Sequence, residues 1–155
     1  MMRSPMRTRL SLLALACAFV AAPVLAQDEG PTFVFVVHGL RNDVGWVGGG
    51  IYADPHVWTH EGGQVATCHA PIHAGTARCV IRAPRPGTYA FAYLHDEDED
   101  GRMRTDAFGM PQEGYGFGHD AHGTLSAPSF ESAAYSLEAG QRVESTLNVR
   151  YGIGL

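Results

Sequence analysis

The chain contains no lysine. Its basic residues are eleven arginines set against sixteen acids, and three of those arginines (Arg3, Arg7 and Arg9) fall before residue 10. Beyond them, eight basic residues face all sixteen acids. A net acidic chain without a basic patch argues against nucleic acid and against anionic membrane surfaces as partners. Past residue 26 there is no apolar run long enough to cross a membrane, so a transmembrane anchor is not expected in the mature form. The serines Ser126, Ser129, Ser132 and Ser136 have no G-x-S-x-G elbow around them, which speaks against a nucleophile of that type. The glycine-rich run Gly114–Gly118 precedes neither a lysine nor a helix start, so it is no phosphate cradle. Cysteine is scarce at three, and one of these, Cys17, lies in the N-terminal segment.

That N-terminal segment is the strongest local signal. A basic stretch to Arg9, an apolar stretch from Leu10 to Val20 and the small-residue end Val24-Leu25-Ala26 read as a secretory leader cleaved before Gln27. Residues 1–26 are therefore expected to be a signal peptide and residues 27–155 a single domain, periplasmic or secreted. In an exported chain the remaining pair, Cys68 and Cys79, is expected to form a disulfide, since Pro71 and Gly75 can turn the chain between them.

Seven segments read as strands: 32–40, 46–53, 65–68, 77–83, 88–95, 133–137 and 142–151. In the fifth, Tyr89, Phe91, Tyr93 and His95 alternate with Ala90, Ala92 and Leu94, the period of a strand with one buried face. Turn signals recur about every ten residues, as in all-β domains, and no convincing amphipathic helix appears. The expected fold is all-β: a single immunoglobulin-like β-sandwich of about seven strands. The exception is Phe108–Ser129, rich in glycine and aromatics, which reads as one long loop.

His95-Asp-Glu-Asp-Glu-Asp-Gly101 concentrates five consecutive acids ahead of a glycine. Asp96, Asp98, Asp100 and Gly101 match the D-x-D-x-D-G spacing of calcium loops, in which alternate carboxylates converge on one hard cation. The match stops short of an EF-hand: the twelfth position falls on Ala107, and the preceding segment is strand-like. The calcium reading takes Asp96, Asp98 and Asp100 as side-chain ligands, the Arg102 carbonyl as a fourth and Asp106 as a closing carboxylate. The alternative is a solvated acidic turn. Eight histidines also occur, and His95, His119 and His122 would form a copper or zinc site if the long loop folded back.

Several longer motifs point together to one family. Gly39-Leu-Arg-Asn-Asp-Val-Gly45, Pro86-Gly-Thr-Tyr-Ala90, His95-Asp96 with its acidic run, Phe108-Gly-Met-Pro-Gln-Glu-Gly-Tyr-Gly-Phe117 and Pro128-Ser-Phe130 with Ala133 follow in order. Together they resemble the bacterial family known as domain of unknown function 2141. The resemblance implies an exported protein with a prealbumin-like sandwich and no established activity. Asp98 and Asp100 stand where that family usually has asparagines, and Gln112 where it usually has lysine. The reading these features support is an exported, non-enzymatic accessory or binding module, calcium-stabilised at the acidic loop. Tyr115 and Phe117 would be its contact surface for an envelope protein, peptide or carbohydrate. A periplasmic copper or zinc binder using histidines is the alternative, and a hydrolase on a prealbumin-like fold the third reading.

Overall fold

The computed structural model describes residues 30–124 and 126–152. The leader, Cys17 and the cleavage point before Gln27 lie outside the described residues. Eight strands follow in order: β1 (Thr32–His38), β2 (Trp46–Tyr52), β3 (Ala66–His73), β4 (Thr76–Arg82), β5 (Gly87–Asp96), β6 (Gly114–Phe117), β7 (Ala134–Leu137) and β8 (Arg142–Asn148). The only helical turns among the described residues are three short 3-10 segments, Pro55–Val57, Gly118–Asp120 and Glu131–Ala133.

The strands form one hydrogen-bonded path, β6-β5-β2-β3-β4-β1-β8, with β7 paired to the start of β5. All pairings are antiparallel except β1 with β8. The two ends of the path meet where Tyr115 and Arg150 exchange backbone hydrogen bonds of 2.8 and 2.9 Å. The all-β expectation holds, but the sheet is continuous and nearly closed into a barrel, where two separate sheets were expected. Its two halves are joined through β3 and β4 by only two residue pairs, Ile72 with Ala77 and His73 with Thr76. The Cys68–Cys79 disulfide ties the same two strands together beyond that pairing, with a Cα–Cα distance of 5.8 Å.

The alternation read from the sequence places the core. Tyr89, Phe91 and Tyr93 of β5 face Phe33, Phe35 and Val37 of β1 across the barrel interior. Phe35 and Phe91 stack with ring centroids 3.6 Å apart. Burial of such rings is the main favourable term in folding. A smaller cluster of Tyr52, Ala90, Phe130 and Ala133 lies apart from this core, with Trp58 and Phe117 packed on it. The Trp58 indole donates to the Pro128 carbonyl at 2.8 Å.

The expected long loop 108–129 is interrupted by β6. Alternating glycines weaken a strand reading, because glycine has low β-propensity. Here they are required by the neighbours. A Cβ on Gly116 would lie 2.3 Å from the Tyr93 hydroxyl, and one on Gly114 would lie 2.7 Å from Val149 and Tyr151. Tyr115 and Phe117, the alternate residues, face the other way.

Candidate functional site

Two loops meet at the end of β5. One is 39–45, between β1 and β2; the other is the acidic run after β5. The Arg41 guanidinium donates from Nε to Glu97 at 2.9 Å and pairs through its outer nitrogen with the second carboxylate oxygen. The Asn42 amide donates to Glu97 at 2.6 Å. These bonds, Arg41 foremost, hold the Glu97 carboxyl down to about 2. Arg41 also lies 4.6 Å over the Tyr151 ring, a cation–π contact. Asp43 accepts from the amides of Gly75 and Ala74 in the β3–β4 turn, which lowers its pKa. The first family motif is thus a clasp between loops.

Asp96, Asp98 and Glu113 bring carboxylate oxygens within 4.8 Å of one another. Asp96 and Glu113 are buried. Asp96 accepts from the amides of Asp100 (3.2 Å) and Gly101 (2.8 Å) and from the Trp46 indole (3.0 Å). Glu113 accepts from the amides of Glu97 and Arg104, both at 2.9 Å. Asp98 pairs with Arg104 at 3.1 Å. Backbone amides and one guanidinium therefore offset much of the mutual repulsion of these acids. A carboxylate has about four acceptor sites, so capacity for a cation remains. Asp100 and Asp106, also of the expected calcium set, accept from backbone amides: Asp100 from Arg102 at 2.7 Å, and Asp106 from Phe108 and Met110. The Arg102 side chain pairs with Glu61 at 3.1 Å. Glu113 was not singled out from the sequence. Its signal was a lone acid in an otherwise uncharged stretch, Phe108–Gly118.

The three histidines of the copper or zinc reading have separate partners. His95 is buried, with Nδ1 2.7 Å from the Tyr151 hydroxyl and Nε2 2.9 Å from the Val44 carbonyl. His119 stacks on Tyr135 and bonds the Ala134 carbonyl at 3.0 Å. His122 lies 3.5 Å from the Arg150 guanidinium.

Beside the acidic loop, a groove of about 710 Å³ crosses the outer face of β2, β3, β5 and β6. Register defines its floor. His69, Gly48, Leu94 and Tyr115 form one row across four strands; Thr67, Gly50, Ala92 and Phe117 form the next. Trp46 and Asp96, paired with each other, close one end. Tyr115 and Phe117, the expected contact residues, both line the groove. A small hairpin overhangs it: the Gln112 amide bonds the Arg104 carbonyl at 2.8 Å, and the Asp106 amide bonds the Met110 carbonyl at 3.0 Å. Within 101–110, Met103 and Met110 are half-buried and line the groove, whereas Phe108 at the tip is 90% exposed.

Fold and site together define a small all-β domain with a groove on its outer face and an acidic, amide-saturated loop at one end of that groove. The chain belongs to the bacterial family described as "Uncharacterized protein conserved in bacteria (DUF2141)", which it matches over residues 35–145. No curated protein and no solved structure matches it.

Proposed function

We propose that the protein is an exported, non-enzymatic binding module whose groove over β2, β5 and β6 receives a ligand from the cell envelope. The groove carries this reading. Its volume falls within the roughly 300–1,000 Å³ of small-molecule sites, and it joins aromatic walls to a few polar groups, as such sites do. The disulfide supports an oxidising compartment. In the same reading, β8-β1-β4 and β3-β2-β5-β6 are the two faces of a flattened, prealbumin-like sandwich.

The test is a thermal-shift screen with saccharide, peptide and small aromatic probes, followed by mapping of backbone amide shifts for each hit. Hits should perturb Gly48, Leu94 and Tyr115. Hits that perturb only the β8 edge or the β3–β4 turn would contradict the reading.

A second reading concerns the same loop and rests on the convergence of Asp96, Asp98 and Glu113. Calcium held there would brace the acidic loop against β6, with Glu113 in the closing role first given to Asp106.

A further inference from the structure

The fold does not require Gly48. A Cβ on the next residue, Gly49, would lie 2.8 Å from the Phe91 ring and 3.1 Å from the Cys68 sulfur. One on Gly50 would lie 2.5 Å from the Gln64 side chain. On Gly48 the nearest atoms would be those of the Trp46 indole at 4.0 Å, an ordinary contact, and its φ is not positive. Mid-strand, glycine gives up β-propensity and the cross-strand side-chain contacts that stabilise a sheet. Its neighbours across the strands, His69 and Leu94, both carry side chains. The result is a gap one side chain wide in the middle of the groove floor. A glycine placed this way marks a site where another group approaches the backbone closely.

A second departure lies at the groove's lip. Thr59 has φ 61 and is the one β-branched residue among the non-glycine residues with positive φ in the described chain. A β-branched side chain is an outlier there. Such strain collects at ligand clamps, and Thr59 lines the groove.

The chemistry around the gap narrows what can fill it. Trp46, Tyr115 and Phe117 supply ring surface, and Met103 and Met110 a soft apolar underside. Thr59, Thr67 and Gln64 supply neutral hydrogen-bonding groups, and His69 an imidazole. The charged groups of the lining have protein partners. Asp96 is held by two amides and an indole, and Glu61 pairs with Arg102 at 3.1 Å across the mouth. The excess of acids over bases in the chain repels anions.

From these observations we infer that the groove binds a neutral saccharide, with one sugar ring seated on the backbone of Gly48. A sugar ring offers an apolar C–H face to aromatic and methionine surface and a hydroxyl edge to neutral donors and acceptors. This inference rests on the reading of the groove as a binding site.

The purified protein is titrated calorimetrically with neutral trisaccharides of glucan, mannan, xylan and chitin, and separately with the tripeptide Ala-Tyr-Ala. At least one trisaccharide should bind and shift the amides of Gly48, His69 and Leu94. Gly48→Val should weaken that binding at least tenfold without lowering the melting temperature, and Gly48→Ala should weaken it less. A saccharide bound equally well by wild type and Gly48→Val overturns the inference. If only the tripeptide shifts the groove amides, the ligand class is overturned and the binding groove stands. If no probe shifts them, both fall.

Discussion

Glu97 shows how one residue of the acidic run differs from its neighbours. Its side chain is only 12% exposed, and it is held by Arg41 and Asn42 from the loop between β1 and β2. Because its folded pKa is depressed to about 2, its contribution is present above the ordinary carboxylate pKa. It is lost as pH falls from about 4.5 towards 2. Arg41 is 45% exposed, so solvent screening reduces the pair to about 1–2 kcal/mol. Glu97→Gln should therefore be less stable than wild type by that amount at pH 7 in urea unfolding. The difference should close as pH approaches 2. A difference that persists unchanged to pH 2 would show that the carboxylate charge is not what holds the loops. Only part of this was legible in the sequence. Consecutive acids announced mutual repulsion and a turn, but not that Asp96 would accept from two amides and an indole, nor that Glu97 would meet an arginine 56 positions away. Those partners are set by the sheet, not by local spacing.

At the scale of elements, strands with clean alternation were legible. β4, β5 and β8 lie within a few residues of where alternation puts them, and β1 and β2 within a few residues of their apolar segments, β1 with Phe33, Val34 and Phe35 buried on both faces. β3 runs five residues past its expected end, because backbone pairing to β2 and β4 carries it through Pro71. β6 was hidden because its inward residues are glycines, dictated by Tyr93 of the neighbouring β5 and by Val149 and Tyr151 just past β8. The acidic loop is the element on which the calcium reading stands. With Asp96, Asp98 and Glu113 converging, calcium at about ten times its Kd would add roughly 1.4 kcal/mol. That is a rise of several degrees in melting temperature for a domain of this size. Asp98→Ala removes one ligand and leaves the amide bonds to Asp96 and Glu113 in place. Millimolar calcium should raise the melting temperature of wild type and not of Asp98→Ala. An equal rise in both, or none in wild type, would make the loop a solvated acidic turn braced by its own amides.

For the whole molecule, the groove could not be read from the chain, since its floor is assembled by register from four strands. Glycines inside a strand mark a bulge or a close backbone approach, and the sheet separates the three of Gly48-Gly49-Gly50. Gly49 admits Phe91 to the core stack and Gly50 admits Gln64, whereas Gly48 faces the open groove. On the proposed reading, this outer face is shaped for a ligand and not by the needs of the fold. The melting temperature of Gly48→Ala beside that of Gly49→Ala tests it most directly. Relieved of glycine's entropic cost, Gly48→Ala should melt at or above wild type, by up to about 1 kcal/mol of added stability. Gly49→Ala should lose about 1–3 kcal/mol through overpacking against Phe91 and melt several degrees lower. A fall for Gly48→Ala as large as that for Gly49→Ala would overturn the proposed reading, because Gly48 would then be a glycine the fold requires.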